Sequence, residues 1–145
     1  MRRIHGILLA VLLSSVAAAA PKGELVLIVS AHSDVTALGS ASMRKLFLGL
    51  TVSRDGRRLH PLLNETDAVI KQVFLQNVVS MSDAGYDRRL LRLAIQEGRP
   101  PPTAFKDKAS LLTAVAEDAD AVSYAWRGDV DKDPRIRIVR SLWSD

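Results

Sequence analysis

Leu25-Val26-Leu27-Ile28-Val29 is an unbroken apolar run in which three of the five side chains are β-branched. A run so short and so branched predicts a strand buried on both faces, as in a parallel sheet with helices on each side. The residues after it, Ser30 to Gly39, are small and polar and read as a loop. Beyond the loop, Met43, Leu46, Phe47 and Leu50 recur at i, i+3, i+4 and i+7. They mark one face of a helix that Gly39 or Ser40 can cap and Gly49 can end.

Further along, Arg54-Asp55-Gly56-Arg57 predicts a turn, because Asp-Gly tolerates positive φ. Leu59 to Leu63 follows as a short strand, and Asn64 to Asp67 as a capping cluster. Val69, Ile70, Val73, Phe74 and Val78 then form a helical stripe. Ser82 or Asp83 opens another helix with Tyr86, Leu90, Leu93 and Ala94 on one face, and Gly98 stops it. Pro100-Pro101-Pro102 interrupts the chain. Asp107 caps a helix carrying Leu111, Leu112 and Val115. Ala121 to Trp126 and Ile136 to Val139 read as strands, with Tyr124 and Trp126 on the same face. The order predicts an α/β fold, a three-layer sandwich around a mixed, mostly parallel sheet.

Toward the N-terminus, Arg2 and Arg3 precede an apolar stretch, Ile4 to Val16, and then the small residues Ala17 to Ala20. Basic, apolar and small in that order is a cleavable secretory signal, and the apolar stretch is short for a transmembrane helix. The expected organisation is a signal peptide over residues 1–20, cut after Ala19, and one domain over residues 21–145, in a bacterial protein exported to the periplasm. Without the signal, 125 of 145 residues remain, enough for one core. The cut also removes two of the 20 basic residues, so 18 face 16 acidic ones and the formal charge falls from +4 to +2. That balance, with no basic arm, argues against a nucleic-acid partner. There is no cysteine, so stability rests on packing.

The order of these motifs resembles the short phosphate-transporter-type solute-binding proteins, which carry the type 2 periplasmic binding-protein fold. The resemblance runs from Glu24 to Trp126. It rests on Leu46-Phe47-Leu48-Gly49 after the first helix, Asp55-Gly56 at the turn and Leu59-His60-Pro61-Leu62 in the strand. Phe74 in the next helix, Gly98 to Pro102 and Ala119-Asp120-Ala121-Val122-Ser123-Tyr124 complete it. In three places the chain departs from the family: the turn lacks a tryptophan, the later aromatic-rich helix keeps only Tyr86, and Asp120 and Ser123 stand where the last motif has glycines. The resemblance implies a single lobe, no catalysis, no cofactor, and phosphate or a similar oxyanion as ligand. The family's anion turn falls on Asn64-Glu65-Thr66-Asp67, where Glu65 and Asp67 compete with an anion for the same helix N-terminus.

Candidate ligand-binding residues are Asn64 and Thr66 in that turn, and Ser30, Ser33 and Thr36 in the loop after the first strand, a preferred ligand position in open α/β sheets. Each has a second account: Thr66 and Asn64 also read as a helix cap, and the serine loop as a solvated one. His32, Ser33 and Asp34 hold the residue types of a hydrolytic triad, but sequence neighbours do not point at one another. His32, Asp34 and His60 show no ligand-pair spacing for a metal. Arg88, Arg89, Arg92 and Arg99 form a basic stretch, either a solvated helix face or a contact for an acidic partner. Two functions are therefore carried forward: a periplasmic oxyanion binder, and a lobe that has lost ligand binding and docks on a membrane or envelope partner.

Overall fold

The computed structural model describes residues 23–145, so the expected signal peptide lies outside the described residues. The apolar run is strand β1 (Glu24–Ser30), with Leu25 to Ser30 buried. Its side chains alternate between two cores. Leu25, Leu27 and Val29 face one, and Val26 and Ile28 the other. Helix α1 (Ser40–Phe47) buries Met43, Leu46 and Phe47. It ends before Leu50, and Gly49 follows at φ +83° with Leu50 N–H bonded back to the Lys45 carbonyl. That is the left-handed stop glycine permits.

The Asp-Gly turn joins strands β2 (Ser53–Arg54) and β3 (Arg57–Arg58), with φ of 50° at Asp55 and 77° at Gly56. Both central residues are left-handed, as a tight hairpin requires. Strand β4 (His60–Asn64) leads through Asp67 into helix α2 (Ala68–Phe74), which passes into a π-helical turn at Leu75–Val79. Here the expected stripe is corrected. Val69 is exposed, and Leu75 and Val79 are buried beside Ile70 and Phe74. The wider π turn rotates the later residues, so the sequence's 3.6-residue period mislocates the face.

Helix α3 (Asp83–Glu97) starts at Ser82, whose hydroxyl accepts from Gly85 N–H, and stops at Gly98. A three-residue strand β5 (Thr103–Phe105) follows the prolines directly, too short to leave a pattern. Helix α4 (Lys108–Glu117) is capped by Asp107 as expected, and strand β6 (Ala121–Trp126) matches its expected bounds. A short helix α5 (Arg127–Val130) precedes strand β7 (Ile136–Ser144).

The five-stranded sheet has the order β5-β4-β6-β1-β7. β4 pairs parallel with β5 and β6, while β1 pairs antiparallel with β6 and β7. Four strands thus run one way, and β1, the strand from which the fold was read, runs against them. The sheet is mixed, with two parallel and two antiparallel pairings rather than mostly parallel ones, and α1, α2 and α3 pack on one face and α4 and α5 on the other. On the first face Phe74 stacks on Tyr124 at 3.6 Å, and Phe47 meets both edge-on at 4.7 and 5.8 Å.

Candidate functional site at the end of β4

β4 lies between β5 and β6, so the chain leaves it toward one side of the sheet and returns to the other. Such a switch point is where open α/β sheets place ligands, beyond the strands' carboxyl ends. The turn Asn64 to Asp67 occupies it, and its donors are turned inward. Asn64 is buried; its Nδ2 donates to the Tyr124 carbonyl at 2.9 Å. Its Oδ1 accepts from the Thr66 N–H at 3.0 Å and the Thr66 hydroxyl at 2.7 Å. The Tyr124 hydroxyl returns a bond to the Asn64 carbonyl at 3.1 Å. This is a side chain mimicking a backbone turn.

Asp67 completes the site. Its Oδ1 accepts from the Ile70 N–H at 2.7 Å, and its Oδ2 from the Trp126 indole at 3.2 Å. The carboxylate thus takes the Ile70 amide in the first turn of α2, a donor that an external anion would otherwise use. Beside it lies a depression of about 310 Å³ lined by Glu65, Asp67, Ala68, Lys71, Gln72 and Asp83. Its one cation, Lys71, is shared among Asp83 at 2.9 Å, Glu65 at 3.3 Å and Asp87 at 3.7 Å. Burial alone would push the Lys71 ammonium's pKa down, but hydrogen bonds to Asp83 and Glu65 hold it above its ordinary value. Carboxylates outnumber ammonium groups here, so the field repels an oxyanion.

Ser30, Ser33 and Thr36 are placed elsewhere. The Ser30 hydroxyl donates to the Ala116 carbonyl at 3.0 Å and accepts from His32 N–H at 3.1 Å. The Ser33 hydroxyl accepts from Val35 N–H at 3.1 Å, and Thr36 is exposed. Val29 and Pro61 both lie beside Val122, so reversed β1 carries Ser30 toward one edge while β4 carries Asn64 toward the other. Four residue steps separate Ser30 and Asn64 along the sheet, about 13 Å at ~3.3 Å per residue. The two groups of candidates cannot hold one small ion together. The side chains of His32, Ser33 and Asp34 share no hydrogen bond and so form no relay; the Ser33 hydroxyl accepts from the Val35 N–H instead. Among the described residues, no three His, Asp or Glu side chains are placed to hold a metal. Arg99 pairs with Glu97, while Arg88 and Arg92 are exposed on α3.

Lys71 and Trp126 are the members of this site that sequence reasoning missed. Lys71 sits four residues after Asp67, a spacing that puts both on one helix side. Trp126 is 59 residues away and leaves no local signal.

Burial also raises the Tyr86 and Tyr124 hydroxyls well above their ordinary pKa. Lys71 and both tyrosines therefore titrate higher in the folded chain than in the unfolded one. The stability they supply is whole below about pH 10, where the unfolded groups begin to lose protons, and it declines as pH rises further. Denaturant unfolding followed from pH 7 upward is expected to show that alkaline decline, less steep in Tyr124→Phe.

No family model and no curated protein matches the chain. Solved structures do. An ABC-type phosphate transport receptor from Vibrio cholerae superposes with a TM-score of 0.60 at 16% identity, over 81% of this chain and 46% of its own. This chain has the fold of one lobe of a type 2 periplasmic binding protein. PstS from Borrelia burgdorferi gives a TM-score of 0.57 at 8% identity over the same shares. A possible phosphate binding protein from Planctomyces limnophilus gives 0.56 at 14%, over 81% and 41%. The chain thus spans less than half the length of these proteins, and at such identities the likeness shows the fold alone.

Proposed function

We propose that the protein is an exported, non-catalytic lobe of the phosphate-receptor type that docks on an envelope partner, its oxyanion seat filled by its own Asp67. The observation that carries the loss of the anion is the Asp67 carboxylate on the Ile70 amide and the Trp126 indole; docking is what is left to a lobe without a ligand. An internal carboxylate so placed offsets the same helix dipole and amides that an anion needs. A lobe in this state retains the fold and loses the ligand.

A second reading, a low-affinity oxyanion receptor with Thr66 and Asn64 as donors, draws on the turn's place at the switch point of the sheet. Ser30, Ser33 and Thr36 belong to neither seat, because they lie at the opposite edge.

Calorimetry with inorganic phosphate and sulfate separates the two. The docking reading expects no saturable heat from the native chain at millimolar ion, and new binding after Glu65→Ser with Asp67→Gly. Saturable binding by the native chain would overturn it in favour of the receptor. In that case Thr66→Val is expected to weaken binding about tenfold, the loss of one hydrogen bond to a charged ligand. With no ligand, Thr66→Val simply costs about 1 kcal/mol of stability through the bond to Asn64. Export has its own check: intact-mass analysis of periplasmic material is expected to find a chain beginning near Ala20. Full-length protein in the inner membrane would contradict it.

A further inference from the structure

A cleft of about 360 Å³ opens at the other end of β4, between the β3–β4 corner and the loop of three prolines. Its lining mixes apolar side chains, among them Leu50, Pro61 and Pro101, with polar groups that include Arg58 and His60. The volume falls within the range of small-molecule sites, which pair apolar walls with a few placed polar groups.

Three features set this cleft apart. First, it has no carboxylate in its lining, whereas four other depressions on the described surface each carry at least one. Second, Arg58 is exposed and makes no ion pair among the described residues, while its neighbour Arg57 is bonded to Asp120 at 2.9 Å. Third, His60 is oriented: its Nδ1 lies 2.7 Å from Asp118 Oδ2, which leaves Nε2 as the ring nitrogen able to meet a ligand. The walls are also stiff. Proline rings fix φ on one side, and on the other Gly49 sits at φ +83° with Leu93 Cδ1 only 3.2 Å from where a Cβ would be. A preformed cleft loses little freedom on binding.

We propose that this cleft binds a small carboxylate with an apolar body. The guanidinium fork of Arg58 matches a planar carboxylate, the His60 ring, when protonated with Nδ1–H on Asp118, can donate its Nε2–H to the second oxygen, and the leucine and proline side chains cover the body. A bare inorganic anion would leave the Leu50 and proline surfaces uncovered, and a neutral apolar molecule would leave Arg58 without a counter-charge. The cleft lies at the opposite edge of the sheet from Asp67, so its occupancy does not depend on whether that seat is filled.

The test is an amide NMR titration of the protein with benzoate, alongside acetate and benzamide. Benzoate at millimolar concentration is expected to give saturable shifts at Gly49, Leu50, Arg58, His60 and Thr103. Acetate, lacking the body, and benzamide, lacking the charge, should bind several-fold more weakly. Arg58→Gln, at an exposed position that leaves the core untouched, is expected to weaken benzoate about tenfold. The proposal is overturned by the absence of saturable shifts, by benzamide matching benzoate, or by affinity unchanged in Arg58→Gln. Shifts confined to Glu65 to Lys71 would overturn it too, and would place the anion at the start of α2 instead.

Discussion

Phe47→Ala is expected to lower the free energy of unfolding by about 3–5 kcal/mol, as deleting a fully buried aromatic ring does. Phe47 has no exposed surface and packs edge-on against Phe74 and Tyr124. Its backbone carbonyl also accepts the Tyr86 hydroxyl at 2.5 Å, which ties α3 to the end of α1. The loss therefore comprises the ring's transfer out of water and a cavity between three helices and the sheet. Denaturant unfolding checks it; a change below about 1 kcal/mol would mean the cavity collapses or the face is wrong. Combining Phe47→Ala with Phe74→Ala should cost less than the two single changes summed, because the rings touch.

Asn64→Ala should cost about 2–3 kcal/mol, the range for a buried polar group left without its partner plus a lost turn bond. The change strips the buried Tyr124 carbonyl of its Nδ2 donor and frees the Thr66 N–H and hydroxyl together. Thr66 is only half-buried and water can reach it, so most of the cost falls on the Tyr124 side. Because Thr66→Val removes one of the same bonds, the double variant should be less destabilised than the sum of the two. Full additivity in urea unfolding would show that the turn is held by something other than Asn64.

Much of the fold was legible because it is written in local patterns. Asp107 and Ser82 announce helix starts through a side-chain oxygen at the right offset, and Gly49 and Gly98 announce stops by tolerating left-handed backbone. Asp55-Gly56 announces a hairpin for the same reason. The α2 stripe failed at Val78, where Val79 is buried instead, because a π turn changes the period partway and nothing in the composition marks where; Val69, ahead of that turn, lies on the exposed margin of the stripe. β5 escaped because three residues after three prolines carry no alternation to read. The candidate site was legible only in part. Asn64 to Asp67 stood out as a capping cluster, but the direction its donors face depends on Tyr124 and Trp126, about 60 residues away in sequence.

The sequence by itself determined that β1 is buried on both faces, since no exposed strand carries five apolar residues in a row, and that helices flank the sheet. It also determined the chemistry of the turn: two carboxylates beside one threonine. The tertiary structure alone decided that β1 runs against its neighbours. An apolar run reads the same in either direction, and only the paired strands β6 and β7 set its sense. That single reversal sends Ser30, Ser33 and Thr36 to one edge of the sheet and Asn64 and Thr66 to the other. It divides into two places what the sequence offered as one list of hydroxyl and amide donors. The tertiary structure likewise decided that Asp67 faces the indole of Trp126 rather than solvent, because that contact exists only when β6 lies alongside β4.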